Sequence, residues 1–253
     1  MKLSIIIPVY NEAETVDHII ARVRAVDLGD VEREIIIVDD YSTDGTRERL
    51  AGYVNDDDIT VHFCEFNGGK GTATRIALGY ATGDVVLIQD SDLEYFPEDY
   101  PQLIRPILEG RETVVYGSRF LSSTKRWGLR WPKGMRPLNW LSNKILAWTT
   151  NLLFGAGITD EATCYKVFHP DVIQACDLQA DRFEMCPELT AKVLRMGHRI
   201  HEVPIRYEAR SFEQGKKIKW QDGFIAWWTL VKYRFSRWRP EGEWRGTRGE
   251  RRP

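Results

Sequence analysis

The sequence predicts an α/β fold in which a mostly parallel central sheet is flanked by helices. Short apolar segments rich in β-branched residues alternate with segments whose apolar residues recur at helical spacing. The apolar segments are continuous rather than interrupted by polar residues, which is typical of strands covered on both faces. With 253 residues, 43% of them apolar, the chain is long enough to bury one large core.

The first unit is a strand at 3–10 followed by a helix. The strand segment, LSIIIPVY, is apolar and β-branched, and Asn11 comes directly after it. Apolar residues then recur at helical spacing: Val16, Ile19, Ile20 and Val23. We expect Asn11 to cap this helix, because asparagine is among the residues preferred at helix N-termini.

The same pattern repeats along the first half of the chain. Strands are expected at 34–40, 60–65, 84–90 and 113–118, and helices at 42–54, 69–81 and 98–110. Polar residues follow most of these strands. In parallel sheets, ligands bind beyond the carboxyl ends of the strands, so we expect a binding site there.

Beyond residue 119 the pattern becomes less regular. A loop at 120–137 contains five basic residues and no acidic ones: Lys125, Arg126, Arg130, Lys133 and Arg136. The apolar helix expected at 138–155 has too many polar residues to span a bilayer well, and a half-buried or membrane-surface helix fits it better. The remaining expected elements are strands within 164–170 and 198–207, a helix at 186–197 and a tail helix at 220–239.

The two halves of the chain differ in charge. Residues 206–253 contain thirteen Lys or Arg and six Asp or Glu, a net charge of +7. Because the net charge of the whole chain is −2, the net charge of residues 1–205 is −9. All nine tryptophans lie at or beyond Trp127. The first half is therefore suited to holding cations, and the second has the basic and aromatic residues of a membrane interface. We expect no nucleic-acid partner.

The cysteines and the apolar segments suggest a cytosolic protein. Four cysteines stand far apart, without a CxxC pair or a histidine at metal spacing: Cys64, Cys164, Cys176 and Cys186. Free thiols are therefore favoured over a disulfide framework or a zinc site. The N-terminal apolar stretch is too short for a signal peptide core, and no window reaches the ~18 apolar residues of a spanning helix.

The segment QDSDLE (89–94) follows the fourth strand and has carboxylates at alternate residues. A turn here can direct Asp90 and Asp92 to a common point, and Mg²⁺ or Mn²⁺ accepts such oxygen ligands. An acidic turn with only a capping role is the alternative, since a DxD tripeptide is common by chance. Its place among other polar strand ends favours the metal.

Two further segments at strand ends could contact a ligand. In IVDDYSTDGT, Asp39 or Asp40 can bond a nucleobase or a ribose hydroxyl, whereas Ser42 and Asp44 can cap the next helix. The glycine-rich turn FNGGKGTA (66–73) would let the backbone approach a ligand and offer it helix N-terminal amides. This turn is neither a Walker A nor a GxGxxG pattern.

Together these segments resemble the GT-A glycosyltransferases of family 2. SIIIPVYNE, IIIVDDYSTDGT, NGGKGTATRIALGYATGD and DSDLEYFPED occur in the family's order. The later segments YGSRF, TDEATCYKVFHPDVI, RFEMCPELTAKVLRMGHRIHEVPIRY and GKKIKW resemble its polyprenyl-phosphate branch, typified by dolichol-phosphate mannose synthase. The resemblance implies a GT-A (Rossmann-like) fold and a glycosyltransferase that uses Mg²⁺ or Mn²⁺.

The resemblance also implies roles for individual residues. The metal and diphosphate site would be Asp90, Asp92 and Glu94, with Asp92 and Arg119 as the catalytic residues. The nucleotide would be bound by Pro8, Tyr10, Glu12, Asp39, Asp40, Gly71, Asp90, Ser91 and Lys217. The acceptor phosphate would be held by Arg119, Lys133 and Arg136.

By the same resemblance we expect a GT-A domain at 1–215, with a nucleotide-sugar-binding part (1–118) and an acceptor part (119–215). An amphipathic interfacial helix at 216–240 and a disordered basic tail at 241–253 would follow. One face of that helix would present Phe224, Trp227, Trp228, Val231 and Phe235.

The sequence departs from the family pattern in several places. Many members have transmembrane helices after the catalytic domain, and none is predicted here. Arg210 precedes GKKIKW with longer spacing than usual and with a lysine where a serine is typical, so its role stays open. Glu94 stands where mannose synthases typically have glutamine, and the QxxRW motif of processive polysaccharide synthases is absent.

The expected reaction is an inverting, metal-dependent transfer of a hexose-type sugar from a UDP- or GDP-linked donor to a polyprenyl phosphate. The protein would be peripheral on the cytoplasmic face of a membrane, with the membrane surface as a partner, and a membrane protein could supply its anchor. A saccharide or protein hydroxyl is an alternative acceptor and would need a base such as Asp160, Glu161 or Glu184. A non-catalytic, membrane-associated nucleotide-sugar-binding protein is the second alternative.

Overall fold

A computed structural model describes residues 1–121, 131–210 and 220–240, without the side chain of Trp220. The strands in these ranges are β1 (Lys2–Val9), β2 (Glu32–Asp39), β3 (Ile59–Phe63), β4 (Val85–Ile88), β5 (Val114–Ser118), β6 (Lys166–Phe168) and β7 (His201–Pro204). The helices are α1 (Val16–Ala25), α2 (Thr46–Leu50), α3 (Lys70–Leu78), α4 (Tyr100–Leu108), α5 (Pro137–Phe154), α6 (Pro170–Ala175), α7 (Met185–Arg195) and α8 (Trp220–Phe235). Some predictions concern residues outside the described ranges: those for the loop cations Lys125, Arg126 and Arg130, for Lys217 as a nucleotide-binding residue, and for the tail at 241–253.

The strands form one mixed sheet in the order β3-β2-β1-β4-β6-β5-β7. The central strand β1 pairs in parallel with both β2 and β4, and β2 pairs in parallel with β3. Residues 3–9 are buried along the whole strand, as expected for a strand covered on both faces. The predicted α/β fold with a mostly parallel sheet is confirmed.

The second half of the sheet differs from a simple parallel series. Strand β6 lies between β4 and β5 and is antiparallel to both, while β7 pairs in parallel with β5. The chain leaves β5 at the carboxyl ends of the parallel strands, passes through α5 and re-enters the sheet at the same edge. Strand β6 therefore runs in the direction opposite to that of β4 and β5.

Helix α1 begins later than expected. Its apolar stripe is buried as predicted, but the N-cap is Thr15, so the expectation that Asn11 caps this helix is wrong. Asn11 instead has a positive φ of 49°. Its amide donates to Ser42 Oγ, and its side-chain oxygen accepts from the amide of Thr43. Asn11 thus connects the ends of β1 and β2.

Gly45 occupies the N-cap of the next helix, so neither Ser42 nor Asp44 holds the expected cap position, although Asp44 contacts the first turn. Asp44 Oδ1 accepts from the amide of Thr46, the first residue of α2, whereas Ser42 accepts from the amide of Asn11. The short helix α6 was not predicted, although proline at its first position is a typical signal.

Helices α5, α7 and α8 pack together on one side of the molecule. Leu230 and Tyr233 of α8 are buried against Leu146 of α5 and Ala191 of α7. The opposite face of α8 exposes Phe224, Trp228 and Phe235, whereas the expected members Trp227 and Val231 are half-buried. The tail helix is therefore a packed part of the fold with an apolar outer face.

The outer face of α5 is also apolar. Its exposed residues are spaced at three or four along the helix: Leu138, Leu141, Ile145, Trp148 and Leu152. The inner face buries Leu146, Ala147, Thr149 and Thr150. Among the described helices, none has both the length and the apolar character that crossing a bilayer requires.

We expect Leu230→Ala to reduce the free energy of unfolding by about 2–5 kcal/mol, because it removes a fully buried side chain from the contact of α8 with α5 and α7. The control is Phe224→Ala on the outer face of the same helix, expected to change stability by less than about 0.5 kcal/mol. Urea unfolding followed by circular dichroism measures both. Equal effects of the two changes would mean that α8 does not pack as described.

Candidate active site

The three predicted metal-binding carboxylates lie in a tight turn directly after β4. Leu93 has a positive φ of 61°, an unusual conformation for a branched residue, which bends the chain between Asp92 and Glu94. Asp92 Oδ1 accepts from the amide of Glu94 at 3.1 Å. Ser91 is buried and its hydroxyl donates to the carbonyl of Pro8 at 3.4 Å. This contact attaches the turn to β1.

Each of these carboxylates already has a partner within the protein. Lys70, the first residue of α3, forms an ion pair with Asp90. Glu94 accepts from the hydroxyl of Tyr207 at 2.7 Å and from the amide of Arg210 at 2.8 Å. Asp92 Oδ2 lies 3.3 Å from Arg210 Nη2.

Arg210 joins the turn to the first strand unit. Its guanidinium donates to both carboxylate oxygens of Glu12, at 3.0 and 3.1 Å. Glu12 is buried and follows β1, so the ends of β1 and β4 and the segment after β7 meet at this arginine. The neighbouring Tyr10 is partly exposed at the same edge.

The carboxylates of the acidic turn affect one another's ionisation. Burial, together with the Asp90 and Glu94 carboxylates, raises the pKa of Asp92 to about 7. A cation bound nearby would favour the ionised form of Asp92. A bound cation and the ionised carboxylate of Asp92 would therefore stabilise each other.

The donor groups suit a divalent ion bound together with a ligand. Within residues 1–121, 131–210 and 220–240, no three His, Cys, Asp or Glu side chains are arranged as a metal site. Mg²⁺ and related ions are usually held by one or two carboxylates, with phosphate oxygens and water completing the coordination. Asp90 and Asp92 provide such a pair. The metal-binding role of Glu94 stays a prediction.

The two aspartates at the end of β2 have different surroundings. Asp40 accepts from the amides of Gly68 and Gly69 at 2.7 and 2.8 Å, and from the side chain of Asn67. Burial raises the pKa of its carboxyl. Asp40 thus shapes the glycine-rich turn.

Asp39 has an oxygen that the described protein does not use. Its side chain is fully buried, and Oδ2 lies 3.2 Å from both the amide of Ser42 and Arg47 Nη1. Among the described residues, Oδ1 has no hydrogen-bond partner. A buried acceptor without a partner is costly, so Asp39 is better placed than Asp40 to accept a hydrogen bond from a ligand.

The glycine-rich turn packs against the protein itself. The amides of Gly71 and Thr72 donate to the carbonyl of Asp181, at 2.8 and 3.1 Å. A Cβ atom on Gly71 would collide with the carbonyl of Ala180, so glycine is required by close packing. The amides that were expected to face a ligand are used here, and nucleotide binding by Gly71 stays a prediction.

The loop that supports this turn is held by a buried ion pair on α7. Glu188 accepts from the amides of Gln179 and Ala180 and pairs with Lys192 at 2.6 Å, and both charged side chains are fully buried. The hydroxyl of Tyr233 on α8 also donates to Glu188, at 2.8 Å. Sequence reasoning missed this network because its members pack among apolar residues of two helices.

Arg119, the predicted catalytic and phosphate-binding residue, lies directly after β5. Its guanidinium makes two hydrogen bonds to Asp160, at 2.6 and 2.7 Å, and only 7% of its side chain is exposed. It also donates to Asn143 of α5 at 2.9 Å and lies 5.1 Å from the centre of the Tyr207 ring. The Asp160 pair holds Arg119 firmly, and its catalytic role stays a prediction.

The two loop cations predicted for the acceptor phosphate lie at the surface. Lys133 forms an exposed ion pair with Glu208 at 2.6 Å. Arg136 is exposed and precedes α5 directly. Their predicted role in phosphate binding is not tested by these contacts.

A continuous series of contacts connects the acidic turn to α5. Glu94 accepts from Tyr207, the Tyr207 ring lies against Arg119, and Arg119 donates to Asn143. Asn143 belongs to the helix whose outer face is the exposed apolar stripe. Asn143 lies on the inner face of α5, one turn before the buried Leu146 and Ala147, so the series connects the acidic turn to the helix that carries the apolar stripe on its other face.

Comparison with known proteins identifies the family. The model of glycosyl transferase family 2 matches residues 4–175, more than half of the chain. The chain belongs to glycosyl transferase family 2. The predicted glycosyltransferase activity and GT-A fold agree with this assignment, which does not support the non-catalytic alternative.

Curated relatives in this family act on polyprenyl phosphates by name. Undecaprenyl-phosphate mannosyltransferase from Micrococcus luteus is 28% identical, with 98% of each chain covered. Dodecaprenyl-phosphate galacturonate synthase from Rhizobium johnstonii and dolichol-phosphate mannosyltransferase from Pyrococcus furiosus are each 27% identical, over 83% and 85% of this chain. This chain spans only 60% and 59% of the length of those two proteins.

Solved structures of glucosyl-3-phosphoglycerate synthase from Mycobacterium tuberculosis share the fold. The complex with Mn²⁺, UDP-glucose and phosphoglyceric acid has a TM-score of 0.68 at 20% identity, covering 92% of this chain and 79% of that one. The complex with Mg²⁺ and UDP has a TM-score of 0.66 at 19% identity, covering 92% and 77%. At this identity the likeness concerns the fold alone.

We expect Asp160→Asn to lower the free energy of unfolding by about 3–5 kcal/mol, because it leaves the buried guanidinium of Arg119 without its counter-charge. Glu98→Gln is the matched control, since Glu98 makes a similar two-pronged contact with Arg22 at the surface. That change should cost less than about 1 kcal/mol. Chemical denaturation gives both values, and similar losses would contradict a buried, structurally important pair.

Proposed function

We propose that this enzyme is an inverting, divalent-metal-dependent transferase that moves a hexose-type sugar from a UDP- or GDP-linked donor to a polyprenyl phosphate at a membrane surface. The main supporting observation is the series of contacts from Glu94 through Tyr207 and Arg119 to α5. It links a polar, acidic centre to the helix whose outer face carries the exposed apolar stripe. An acceptor with a phosphate head and an apolar chain matches both surfaces.

The donor would bind along the carboxyl ends of β1, β2 and β4. Asp39 would accept a hydrogen bond from the base or ribose, and Asp90 and Asp92 would hold the metal. A bound Mg²⁺ or Mn²⁺ would supply stabilisation of the negative charge on the leaving nucleoside diphosphate. The names of the M. tuberculosis complexes, which share this fold and include Mn²⁺, Mg²⁺ and UDP, support a divalent ion bound together with a nucleoside diphosphate.

The acceptor phosphate would be the nucleophile. One of its oxygens attacks the anomeric carbon while the bond from that carbon to the diphosphate oxygen breaks, and attack from the opposite side inverts the configuration. A phosphate oxygen is already anionic, so no proton has to be removed. Arg136 and Lys133, in the segment before α5, are the proposed phosphate contacts, together with Arg119.

No observation favours a hydroxyl acceptor. Of the carboxylates that could act as its general base, Asp160 and Glu161 are completely buried, and Asp160 is occupied by Arg119. Glu184 is half-buried, and its carboxylate accepts from the amide of Arg182. The lipid phosphate remains the better acceptor on these grounds.

The outer faces of α5 and α8 would contact the membrane. Both expose large apolar side chains, including Trp148 on α5 and Trp228 on α8, and aromatic residues of this kind favour the bilayer interface. Exposed basic residues lie near the end of α8: Lys232, Arg234, Arg237 and Arg239. Such residues attract anionic lipids. The cytoplasmic face and a membrane protein partner stay predictions.

We expect the purified protein with Mn²⁺ to form a lipid-linked sugar from at least one donor in a panel of UDP- and GDP-sugars with a short polyprenyl phosphate. Asp92→Ala should lower kcat at least about a hundredfold, because the metal contributes several kcal/mol to the transition state. Asp84→Ala is the control, since Asp84 lies at the opposite end of β4 and its carboxylate accepts only from the amide of Lys2 in the described contacts. Absence of product with every donor would refute the proposed function, and an unchanged kcat in Asp92→Ala would refute the metal role.

We expect the double change Trp148→Ser with Leu152→Ser to weaken binding to anionic vesicles at least about tenfold, because two large side chains no longer enter the interface. Val54→Ser is the control, because Val54 is an exposed apolar residue that belongs to neither helix. Vesicle co-sedimentation measures the partition. Equal binding by the double variant and the wild type would argue against docking through α5.

A further inference from the structure

Glu202 of β7 supports the loop that carries Asp160. Its Oε2 accepts from the amide and the hydroxyl of Thr159, at 2.8 and 2.9 Å, and its Oε1 accepts from the amide of Asp160 at 2.9 Å. Both carboxylate oxygens are used, and together they hold two successive backbone amides. Hydrogen bonds to a charged acceptor are about twice as strong as those between neutral groups, so Glu202 holds this loop firmly.

The same loop fixes Arg119. The Arg119 guanidinium makes two hydrogen bonds to the Asp160 carboxylate, which also accepts from the backbone amide of Arg119 at 3.0 Å. The hydroxyl of Thr159 shares a hydrogen bond of 2.6 Å with Ser118, the residue before Arg119. A movement of residues 159–160 would therefore change the direction of the Arg119 side chain.

The sheet places Glu202 beside the strand that presents this arginine. Strand β7 pairs in parallel with β5, and Glu202 lies opposite Tyr116 in the register. Strand β5 ends at Ser118, and Arg119 follows it directly. Glu202 thus acts on Arg119 from the neighbouring strand, through two backbone amides and the carboxylate of Asp160.

The charged groups that face Glu202 come from three elements. Asp160 follows α5, and its charge disfavours the ionised form of Glu202. Lys144 of α5 lies near both carboxylates and donates to the carbonyl of Thr159 at 3.3 Å. Arg119 follows β5 and pairs with Asp160.

Glu202 changes its charge near neutral pH. Burial, opposed by the hydrogen bonds from Thr159 and reinforced by the charge of Asp160, raises the pKa of Glu202 to about 7. The ionised carboxylate accepts with both oxygens, whereas the protonated form turns one of them into a donor. The support of residues 159–160 is therefore weaker below this pKa than above it.

We propose that Glu202 is a positioning residue for the glycosyl transfer: through the backbone of residues 159–160 it fixes Asp160, and Asp160 directs Arg119 toward the acceptor phosphate. Glu202 itself contacts neither substrate. This inference rests on the proposed function, in which Arg119 binds that phosphate. It adds that a strand at the edge of the sheet controls how this arginine is presented.

This role and a purely structural role predict different effects. If Glu202 only stabilises the fold, its loss acts on donor and acceptor alike, and it adds to the loss of Arg119. If Glu202 positions Arg119, its loss acts on the acceptor and has no further effect once Arg119 has been replaced. Such non-additivity is typical of residues in one hydrogen-bond network.

The kinetic test uses the full chain with Mn²⁺, the preferred nucleotide sugar and a short polyprenyl phosphate. Glu202→Gln keeps the size of the side chain, but its NH₂ group is a donor that would face one of the two backbone amides. Glu112→Gln is the matched control, since Glu112 lies near His201 of β7 but precedes β5, at the end opposite to Arg119.

We expect Glu202→Gln to raise KM for the polyprenyl phosphate at least about tenfold, the scale of one hydrogen bond to a charged group, and KM for the nucleotide sugar less than about twofold. Glu112→Gln should stay near wild type. Arg119→Lys combined with Glu202→Gln should lose no more activity than Arg119→Lys alone.

A second measurement needs no turnover. The ¹⁵N–¹H signal of Arg119 Nε, identified by its loss in Arg119→Lys, is followed across neutral pH in the protein without metal or substrates. We expect it to shift with a midpoint near pH 7 in the wild type and to stay constant in Glu202→Gln. The shift should persist in Asp92→Asn, which removes the other carboxyl group whose pKa is about 7.

Three results would overturn the inference and leave the proposed function standing: equal rises of both KM values, additive losses in the double variant, or an Arg119 signal that does not depend on Glu202. If Glu202→Gln does not fold, as judged by circular dichroism, the wild-type signal decides, and a signal that stays constant across neutral pH overturns the inference. If the wild type forms no lipid-linked sugar from any donor, the proposed function fails, and the inference fails with it.

Discussion

Concentrated negative charge at the carboxyl edge of the sheet constrains the structure around it. Glu12 and the turn at 90–94 reach this edge together because β1 and β4 are parallel and adjacent. Burying carboxylates without partners is strongly destabilising. The chain therefore supplies Lys70 from the glycine-rich turn, and Tyr207 and Arg210 from the segment after β7. The last strand of the sheet completes a site that the first strand begins.

The sequence was sufficient for those parts of the fold that depend on local pattern. Continuous apolar segments located the parallel strands, and the DSD segment was correctly placed after β4. The partners of that segment were not predictable, because Tyr207 and Arg210 are more than 110 residues away along the chain. Strand β6 lies between β4 and β5 because of the path that the chain takes through α5 before it re-enters the sheet. No local sequence pattern indicates this position.

Smaller errors had similar causes. Asn11 matched the preference for a helix N-cap, but its amide and side chain bond the loop after β2, so tertiary contacts overrode the local preference. On the tail helix, the aromatic residues and Val231 were expected to share one face. Packing of α8 against α5 and α7 rotates Trp227 partly inward and leaves Trp228 outside.

The hydroxyl of Tyr233 gives α8 a significance beyond its apolar outer face. It donates to Glu188, which holds the backbone of residues 179–180, and the neighbouring carbonyl of Asp181 holds the amide of Gly71. A shortened version ending before α8, an obvious choice for improving solubility, would uncover Leu146 and Ala191 and deprive Glu188 of a donor. Removing this helix as if it were only a membrane anchor would therefore take away packing and a hydrogen bond that support the catalytic domain.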